Sequence, residues 1–269
     1  METDLYIPKD DQVIGAKYAE SFWLFFFLSI YSAVHLYVLE TPIQKQKAGS
    51  TADPTSYSTQ SIITVALSAL VLALASGDEV GYGSFLLVYS QFNLKFSESS
   101  GQYLTSLYWT FFTIGRLIAI PLATVMSNQS MLVLELCITI VASIFLFVLN
   151  QLTWALWIGT AIFGLGISAI FPTVMSLTEN YVNLTGRFAT AIIVGAAIGE
   201  MICPLAFGLF TTQENPIPFV YLVNLIIFLC AGATYFLIKE GAKSILEKRK
   251  MESKEDESEM STIKVYPGH

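Results

Sequence analysis

The chain has 269 residues, of which 54% are hydrophobic and only 13% are charged. A typical soluble domain carries roughly 25% charged residues, and the apolar residues of this chain form long blocks that water cannot solvate. The composition therefore excludes a soluble domain or soluble enzyme and indicates an integral membrane protein, because a helix of about 20 apolar residues spans a bilayer while satisfying its own backbone hydrogen bonds.

Charge and cysteine content say little about binding partners. The formal net charge is -7, but the acidic residues cluster near the two ends of the chain, and no basic stripe suited to nucleic acid is present. Cys137, Cys203 and Cys230 lie inside apolar segments without CxxC or Cys/His spacing. We therefore predict neither a disulfide framework nor a metal site.

Seven apolar segments follow one another along the chain. We predict an all-α integral membrane protein of about seven transmembrane helices, in which a lone first helix precedes a bundle of six. The segments are 21–40, 61–91, 102–126, 131–149, 153–177, 188–211 and 217–238.

Five regions follow from these segments and from the distribution of basic residues. With the N-terminus outside, the inner loops and tail hold ten lysines and arginines and the outer regions hold three, which is the bias expected of a cytoplasmic side. We predict a multi-pass protein of the plasma membrane with its C-terminus in the cytoplasm. The regions are an extracellular segment (1–20), a transmembrane helix (21–40), a cytoplasmic linker (41–60), a six-helix domain (61–238) and a cytoplasmic tail (239–269).

Two of the apolar segments contain glycine-rich stretches, at 76–83 and 164–172. These segments are three helices apart, so each opens a triplet, and the six helices are predicted to be a 3+3 inverted repeat. Matched interrupted helices in two repeats point to the binding site of a transporter. The alternative is that the glycines only permit close packing between helices.

Charged residues within a bilayer cost about 2.5 to 3.5 kcal/mol on insertion scales, so they are usually paired or face water. The candidates in this chain are Asp78, Glu79, Arg116, Glu135, Glu179, Arg187 and Glu200. Asp78 and Glu79 point about 100° apart on a helix, which leaves open which of them faces a cavity. One can bind a cation, a proton or a substrate, or it can cap a helix that resumes at Val80.

Other candidates carry similar alternatives. Glu200 lies in the middle of its segment, where it serves either a site or a buried salt bridge. Arg116 is predicted to pair with Glu179, either as an inner gate or as a static ion pair. Tyr82, Tyr108 and Trp109 lie deep enough to stack on a sugar ring, although aromatic residues also form interfacial belts.

No nucleotide-binding or catalytic motif is found along the chain. It lacks a P-loop, a G-x-S-x-G nucleophile elbow and an H-E-x-x-H zinc motif. We therefore predict that the protein is not an enzyme and uses no organic cofactor.

Four stretches carry a resemblance to a known family: GDEVGYGSFLLVYS (77–90), YWTFFTIGRLIAIPLA (108–123), GLGISAIFPTVMSLTENYV (164–182) and TGRFATAIIVGAAIGEMICPLAFGLF (185–210). In these the chain resembles the carboxyl half of the major facilitator superfamily. More narrowly, it is similar to the animal group that contains sodium-dependent glucose transporter 1 and major facilitator superfamily domain-containing protein 4, which are relatives of bacterial fucose permease.

The resemblance implies a partial secondary active transporter that moves a sugar or similar polar solute by alternating access, coupled to sodium or protons. It identifies 21–40 with family helix six and implies that five earlier helices are missing, so we expect a fragment. The implied partners are the lipid bilayer, a small solute, and the missing amino-terminal half or a full-length transporter. Residues assigned to the solute or coupling ion are Glu79, Asp78, Tyr82, Trp109 and Glu200, and those assigned to the gate are Arg116 and Glu179.

Two alternative functions were compared with the transporter hypothesis. A truncated, non-transporting membrane protein would bind or regulate a full-length transporter. A seven-helix receptor is disfavoured by the long linker after the first helix and by the Gly-Asp-Glu sequence at 77–79.

Overall fold

The computed structural model describes residues 58–246 with their side chains, the helical backbone of 247–265, and residues 26, 27, 29–31 and 34. The chain divides into two compact units, Met1–Thr55 and Ser56–His269. In the first unit the described residues are helical and fall within the predicted helix 21–40. The predicted extracellular segment 1–20 and most of the predicted linker 41–60 lie outside the described residues.

The described part of the second unit contains helices joined by short loops, without a strand, and six of its spans are long and apolar enough to cross a membrane. The prediction of an all-α membrane fold, with six spans after a lone first helix, is confirmed. The helices are α1 (Thr59–Leu94), α2 (Glu98–Val125), α3 (Asn128–Val148), α4 (Thr153–Ile167), α5 (Ile170–Tyr181), α6 (Gly186–Phe210) and α7 (Pro218–Val265). Helices α4 and α5 together form one span, Thr153–Tyr181.

Serine residues set where the first three helices begin. The side chains of Ser58, Ser97 and Ser127 each accept a backbone N–H from the first turn of the helix that follows. Such caps satisfy N–H groups that have no partner within the helix. Lys95 ends α1 in a left-handed conformation, with φ of 55°.

The packing has the symmetry expected of two three-helix repeats. The first helix of the first triplet, α1, packs most extensively against α6 and α7 of the second triplet. Reciprocally, the first span of the second triplet, α4, packs mainly against α2 and α3 of the first. The first span of each triplet therefore packs mainly against helices of the other triplet, so that the two triplets share one core.

The two glycine-rich stretches behave differently. Helix α1 runs without a break through Gly77, Asp78 and Glu79 for 36 residues, so the predicted interruption there is wrong. The predicted interruption of the fifth segment is present, because α4 ends at Ile167 and α5 begins at Ile170. A lipid environment penalises any backbone group left without a hydrogen bond, which favours a continuous helix wherever the sequence allows one.

The glycines at the contact between α1 and α6 permit close packing of the two helices. This was the alternative interpretation of the glycine-rich stretch at 76–83. A Cβ atom added at Gly77 would lie 2.7 Å from the carbonyl oxygen of Gly199, and one added at Gly199 would overlap the carbonyl of Ala73. The two backbones therefore approach each other as closely as small residues permit. This crossing places Glu79 and Glu200 on neighbouring helices.

Candidate functional site

Three charged side chains from three spanning helices lie on one face of the bundle. Glu79 of α1 is half-buried, whereas Arg116 of α2 and Glu200 of α6 are exposed. Glu79 interacts electrostatically with both of the others, attractively with Arg116 and repulsively with Glu200. We call Glu79, Arg116 and Glu200 the charged face.

A polar stripe on α2 continues this face. Gln102, Ser106, Trp109, Thr113 and Arg116 recur every three or four residues and are all exposed, as expected for one side of a helix. The hydroxyls of Ser106 and Thr113 donate to carbonyls one turn earlier in the helix. Helix α2 is also the least buried of the six spans, so this polar surface is left uncovered by the rest of the bundle.

Trp109 is the aromatic residue of the stripe. Its ring is 40% exposed and packs edge-on against Tyr108, with centroids 4.9 Å apart, and against Phe112 at 5.5 Å. Gly83 of α1 leaves the space that the indole occupies. The exposed part of the ring therefore lies on the same helix face as Arg116.

Asp78 points away from the charged face into the interior of the bundle. It is fully buried, and neither carboxylate oxygen has a hydrogen-bond partner among the described residues. It interacts electrostatically with Tyr82, Tyr108, Cys203 and Cys230. Because α1 is continuous at this point, the reading of Asp78 or Glu79 as the cap of a resuming helix is wrong.

Tyr82 lies one turn further along α1 and is also buried. Its hydroxyl is 2.7 Å from Thr160 Oγ1 of α4, and its ring packs in tilted contacts against Phe163 and Tyr108, with centroid distances of 4.4 Å and 5.1 Å. In this conformation Tyr82 and Tyr108 therefore belong to an aromatic core between helices, and Trp109 is the one of the three predicted aromatic residues that remains accessible.

Arg116 contacts the helix break between α4 and α5. Its Nε donates to the carbonyl oxygen of Ser168 at 3.1 Å, and its guanidinium lies 4.5 Å from the ring centroid of Phe112. Ser168 is four residues before Pro172, which has no N–H to offer the carbonyl in a regular helix. Arg116 therefore supplies the hydrogen bond that the proline cannot.

The predicted ion pair between Arg116 and Glu179 is not formed in this conformation. Among the described residues, Lys243 and Glu240 make the one ion pair within 4 Å. The physical reason is distance along the helix: Arg116 is held at the level of Ser168, and eleven residues separate Ser168 from Glu179, or about 16 Å of helical rise.

Tyr108, another of the predicted aromatic residues, donates to the backbone carbonyl of Glu79 at 3.1 Å. Three further contacts involve residues that the sequence did not single out: Thr160 bonds Tyr82, Ser168 bonds Arg116 and Thr173 bonds Glu135. A hydroxyl inside a spanning helix usually bonds its own backbone, so the sequence carries no signal of these partners. Pro172 was the available sign that the carbonyl of Ser168 needs a donor.

The charged face and the polar stripe of α2 together present hydrogen-bond acceptors, hydrogen-bond donors and an aromatic ring. A half-buried carboxylate, Glu79, and an exposed one, Glu200, can accept hydrogen bonds, the guanidinium of Arg116 can donate them, and the exposed indole ring of Trp109 offers an apolar face. The described residues include no group of three or more metal-binding side chains.

Comparisons with known proteins agree with the resemblance carried by the motifs. The chain is 35% identical over 149 residues to sodium-dependent glucose transporter 1 of Danio rerio, covering 55% of this chain and 25% of that protein. It is 24% identical over 257 residues to the Homo sapiens protein of the same name, covering 96% of this chain and 49% of that protein. It is 31% identical over 171 residues to major facilitator superfamily domain-containing protein 4A of Mus musculus, covering 63% of this chain and 33% of that protein.

No protein-family model matches the chain. The chain spans at most about half the length of these curated relatives. The predicted resemblance is nevertheless confirmed: the curated homologues of this six-span bundle are sodium-dependent glucose transporter 1 and major facilitator superfamily domain-containing protein 4A.

Proposed function

We propose that this chain is the carboxyl half of a secondary active transporter of the major facilitator type, which moves a sugar or similar small polar solute by alternating access. In this proposal the charged face and the polar stripe of α2 line one wall of the central site. A second six-helix half, on a longer form of the chain or on a separate protein, supplies the opposite wall.

The charged face itself carries the proposal. Glu79, Arg116 and Glu200 lie deep within three spanning helices, yet the bundle leaves them half-buried or exposed. Contact with lipid at this depth would cost about 2.5 to 3.5 kcal/mol for each charge. Such a surface is stable in a membrane when it faces water, a solute or another protein surface. The fact that the chain covers 49% of its human relative supports a missing second half.

Each residue of the site has a proposed role. Glu79 and Glu200 accept hydrogen bonds from solute hydroxyls, and the exposed ring of Trp109 packs against the apolar face of a sugar. Asp78, which is buried without a partner one residue before Glu79, binds the coupling cation, sodium or a proton. Two of the relatives are named as sodium-dependent transporters, which supports sodium as the coupling cation.

The conformational change is proposed to involve the helix break. Arg116 holds the carbonyl of Ser168 in the conformation described here. Release of that bond, together with a shift of α2 along the span Thr153–Tyr181 that closes the separation of about 16 Å, would bring the guanidinium to Glu179 and form the inner gate. We place both residues toward the cytoplasmic side, with the N-terminus outside and the C-terminus in the cytoplasm, as the basic residues indicate.

Full-length transcript sequencing upstream of Met1, followed by uptake measurements, tests this function. Radiolabelled glucose uptake is measured in cells that express the longest product found, with sodium or with choline in the medium. We expect sodium-stimulated uptake that falls about tenfold or more in Glu79→Gln, equivalent to about 1.4 kcal/mol of lost stabilisation. Glu98→Gln, at the exposed start of α2, is the matched control and should retain uptake.

Two outcomes would contradict the proposal. Uptake that is unchanged by Glu79→Gln would remove the charged face from the solute path. A 269-residue chain that is stably expressed without uptake, and for which no longer product exists, would favour the non-transporting alternative. In that case its charged face would instead bind a full-length transporter, and co-purification with that transporter should depend on Glu79 and Arg116.

A further inference from the structure

One exposed face of α7 changes from apolar to basic at the end of its membrane span. The exposed residues of this helix recur every three or four positions, as expected for a single face that the bundle leaves uncovered. Between residues 221 and 236 its large exposed side chains are aliphatic or aromatic, and the next charged residues on the face are Lys239 and Lys243. The apolar part consists of Tyr221, Leu225, Phe228, Leu229, Tyr235 and Phe236.

The change from apolar to basic residues occurs at the depth of the lipid headgroups. Residues 218–238 contain no acidic or basic side chain and rise about 32 Å as a helix, which matches a hydrocarbon core of about 30 Å. Lys239 is the first charged residue after this span, and Lys243 lies about 6 Å further along the axis. A headgroup layer is about 5 to 8 Å thick on each side of the core, so both lysines lie at its level.

The opposite side of this part of α7 is held by the bundle. A hydroxyl pair at 2.9 Å, an amide-to-carboxylate hydrogen bond at 2.7 Å, and a glycine packed on an aromatic ring join it to α1 and α5. These contacts are formed by Ser244 with Thr64, Gln60 with Glu240, and Gly241 with Tyr181. The helix just beyond residue 238 is therefore a continuation of the bundle, and it presents Lys239 and Lys243 outward from a fixed backbone.

The charge of this segment suits an anionic ligand. Residues 239–250 contain five lysines and arginines and two glutamates, whereas residues 251–259 contain one lysine and five acidic residues. The basic segment lies between the membrane span and the acidic residues, so it meets the headgroups first. Lys243 is ion-paired with Glu240 at 2.6 Å and retains further N–H donors. Lys239 is exposed and has no hydrogen-bond partner within the described part of the chain.

We propose that Lys239 and Lys243, together with Tyr235 and Phe236 one turn before them, form a binding site for an anionic phospholipid on the exposed face of α7. The two ammonium groups bind the headgroup, and the two aromatic rings pack against the acyl chains of the same lipid. A soluble anion would make only the first of these contacts. The site shares no residue with the charged face, and it goes beyond the proposed function because it depends on neither solute nor transport.

Native mass spectrometry of the purified 269-residue chain tests the site. The chain is equilibrated in detergent with equimolar phosphatidylserine and phosphatidylcholine that carry the same acyl chains, and the ratio of the two lipids bound is measured. We expect phosphatidylserine to be preferred about fivefold or more, because one lysine near a headgroup contributes a factor of about five, equivalent to about 1 kcal/mol. The double variant Lys239→Gln/Lys243→Gln should bind both lipids about equally, whereas Lys239→Arg/Lys243→Arg should keep the preference.

Matched variants separate this site from a general effect of charge. Lys95→Gln removes an exposed lysine at the other end of the membrane span, where α1 ends, and should leave the preference unchanged. Glu240→Gln breaks the ion pair with Lys243 but leaves both lysines in place, so the preference should be kept or increased. Tyr235→Ala/Phe236→Ala should reduce the binding of both lipids about threefold or more, because it removes the acyl-chain contacts and leaves the charges.

Three outcomes would overturn the proposal. The first is equal binding of the two lipids by the wild-type chain. The second is a preference that survives Lys239→Gln/Lys243→Gln but is lost in Arg187→Gln, because the lipid would then bind at the start of α6. The third is competition by glycerophosphoserine, which has the headgroup without acyl chains, as strong as that by phosphatidylserine, since this would indicate a site for a soluble anion. Glucose transport enters none of these measurements, so failure of this site and failure of the proposed function are distinguishable.

Discussion

Arg116 of α2 donates its Nε–H to the backbone carbonyl of Ser168, 3.1 Å away, at the point where the span Thr153–Tyr181 loses its regular helix. The carbonyl is available because Pro172, four residues later, has no N–H. One charged side chain thus completes the hydrogen bonding of a neighbouring helix and at the same time contributes to the charged face.

Arg116→Gln should destabilise the bundle, because the carbonyl of Ser168 loses its donor. We expect a loss of about 1 kcal/mol, since a hydrogen bond typically contributes 0.5 to 1.5 kcal/mol. For a protein of this size that corresponds to a melting temperature about 2 to 4 °C lower. Arg187→Gln, in the exposed first turn of α6, is the control, and an equal loss in both variants would contradict a specific role for Arg116.

Pro172→Ala should make the bundle less dependent on Arg116. Alanine restores an N–H that can bond the carbonyl of Ser168 and extend α5 toward α4. The test is a double-mutant cycle in thermal unfolding, in which Arg116→Gln should cost less in the Pro172→Ala background than in the wild type. Strictly additive costs would show that the two residues do not share this carbonyl.

Gly199→Ala should be poorly tolerated, because its added methyl group would overlap the backbone carbonyl of Ala73. Overpacking of this kind typically costs about 1 to 3 kcal/mol, and a backbone group cannot move aside as a flexible side chain can. Gly232→Ala on α7 is the matched control, since a Cβ there meets no atom within 4 Å. It should be neutral or slightly stabilising, by up to about 1 kcal/mol. Denaturation of both variants in the same detergent measures the difference.

Tyr82→Phe and Thr160→Val should each destabilise the contact between α1 and α4 by about 1 kcal/mol. Each removes one hydroxyl of the 2.7 Å buried pair and leaves the other without a partner. The double variant should cost less than the sum, because the second change no longer strands a polar group. Tyr103→Phe, at a ring that is 70% exposed, should leave the melting temperature unchanged.

Asp78→Asn should preserve or raise the melting temperature while abolishing cation-stimulated uptake. The carboxylate makes no hydrogen bond that the amide would lose, and removal of a buried charge relieves a desolvation cost. Thermal unfolding and uptake of the same preparation are compared. Strong destabilisation would instead reveal a structural role for the charge, and unchanged uptake would exclude Asp78 from coupling.

The membrane class of the protein was determined by its sequence alone. Long apolar blocks are incompatible with water whatever the packing, so the number and approximate limits of the spanning helices follow from length and hydropathy. The caps at Ser97 and Ser127 and the break before Pro172 are likewise local, because they depend on side chains and missing N–H groups within a few residues.

Only the tertiary structure decided how these helices use their polar residues. The glycines of α1 were compatible with close packing or, beside Asp78 and Glu79, with a break in the helix, and the close approach of α6 at Gly199 shows that they serve packing. The sequence left Asp78 and Glu79 equivalent, and the positions of α2, α6 and α7 around α1 bury Asp78 and leave Glu79 at the charged face. Arg116 bonds Ser168 rather than Glu179 because the packing of α2 against α4 sets its height along the span. Such choices depend on contacts between residues far apart in the chain, which local periodicity does not encode.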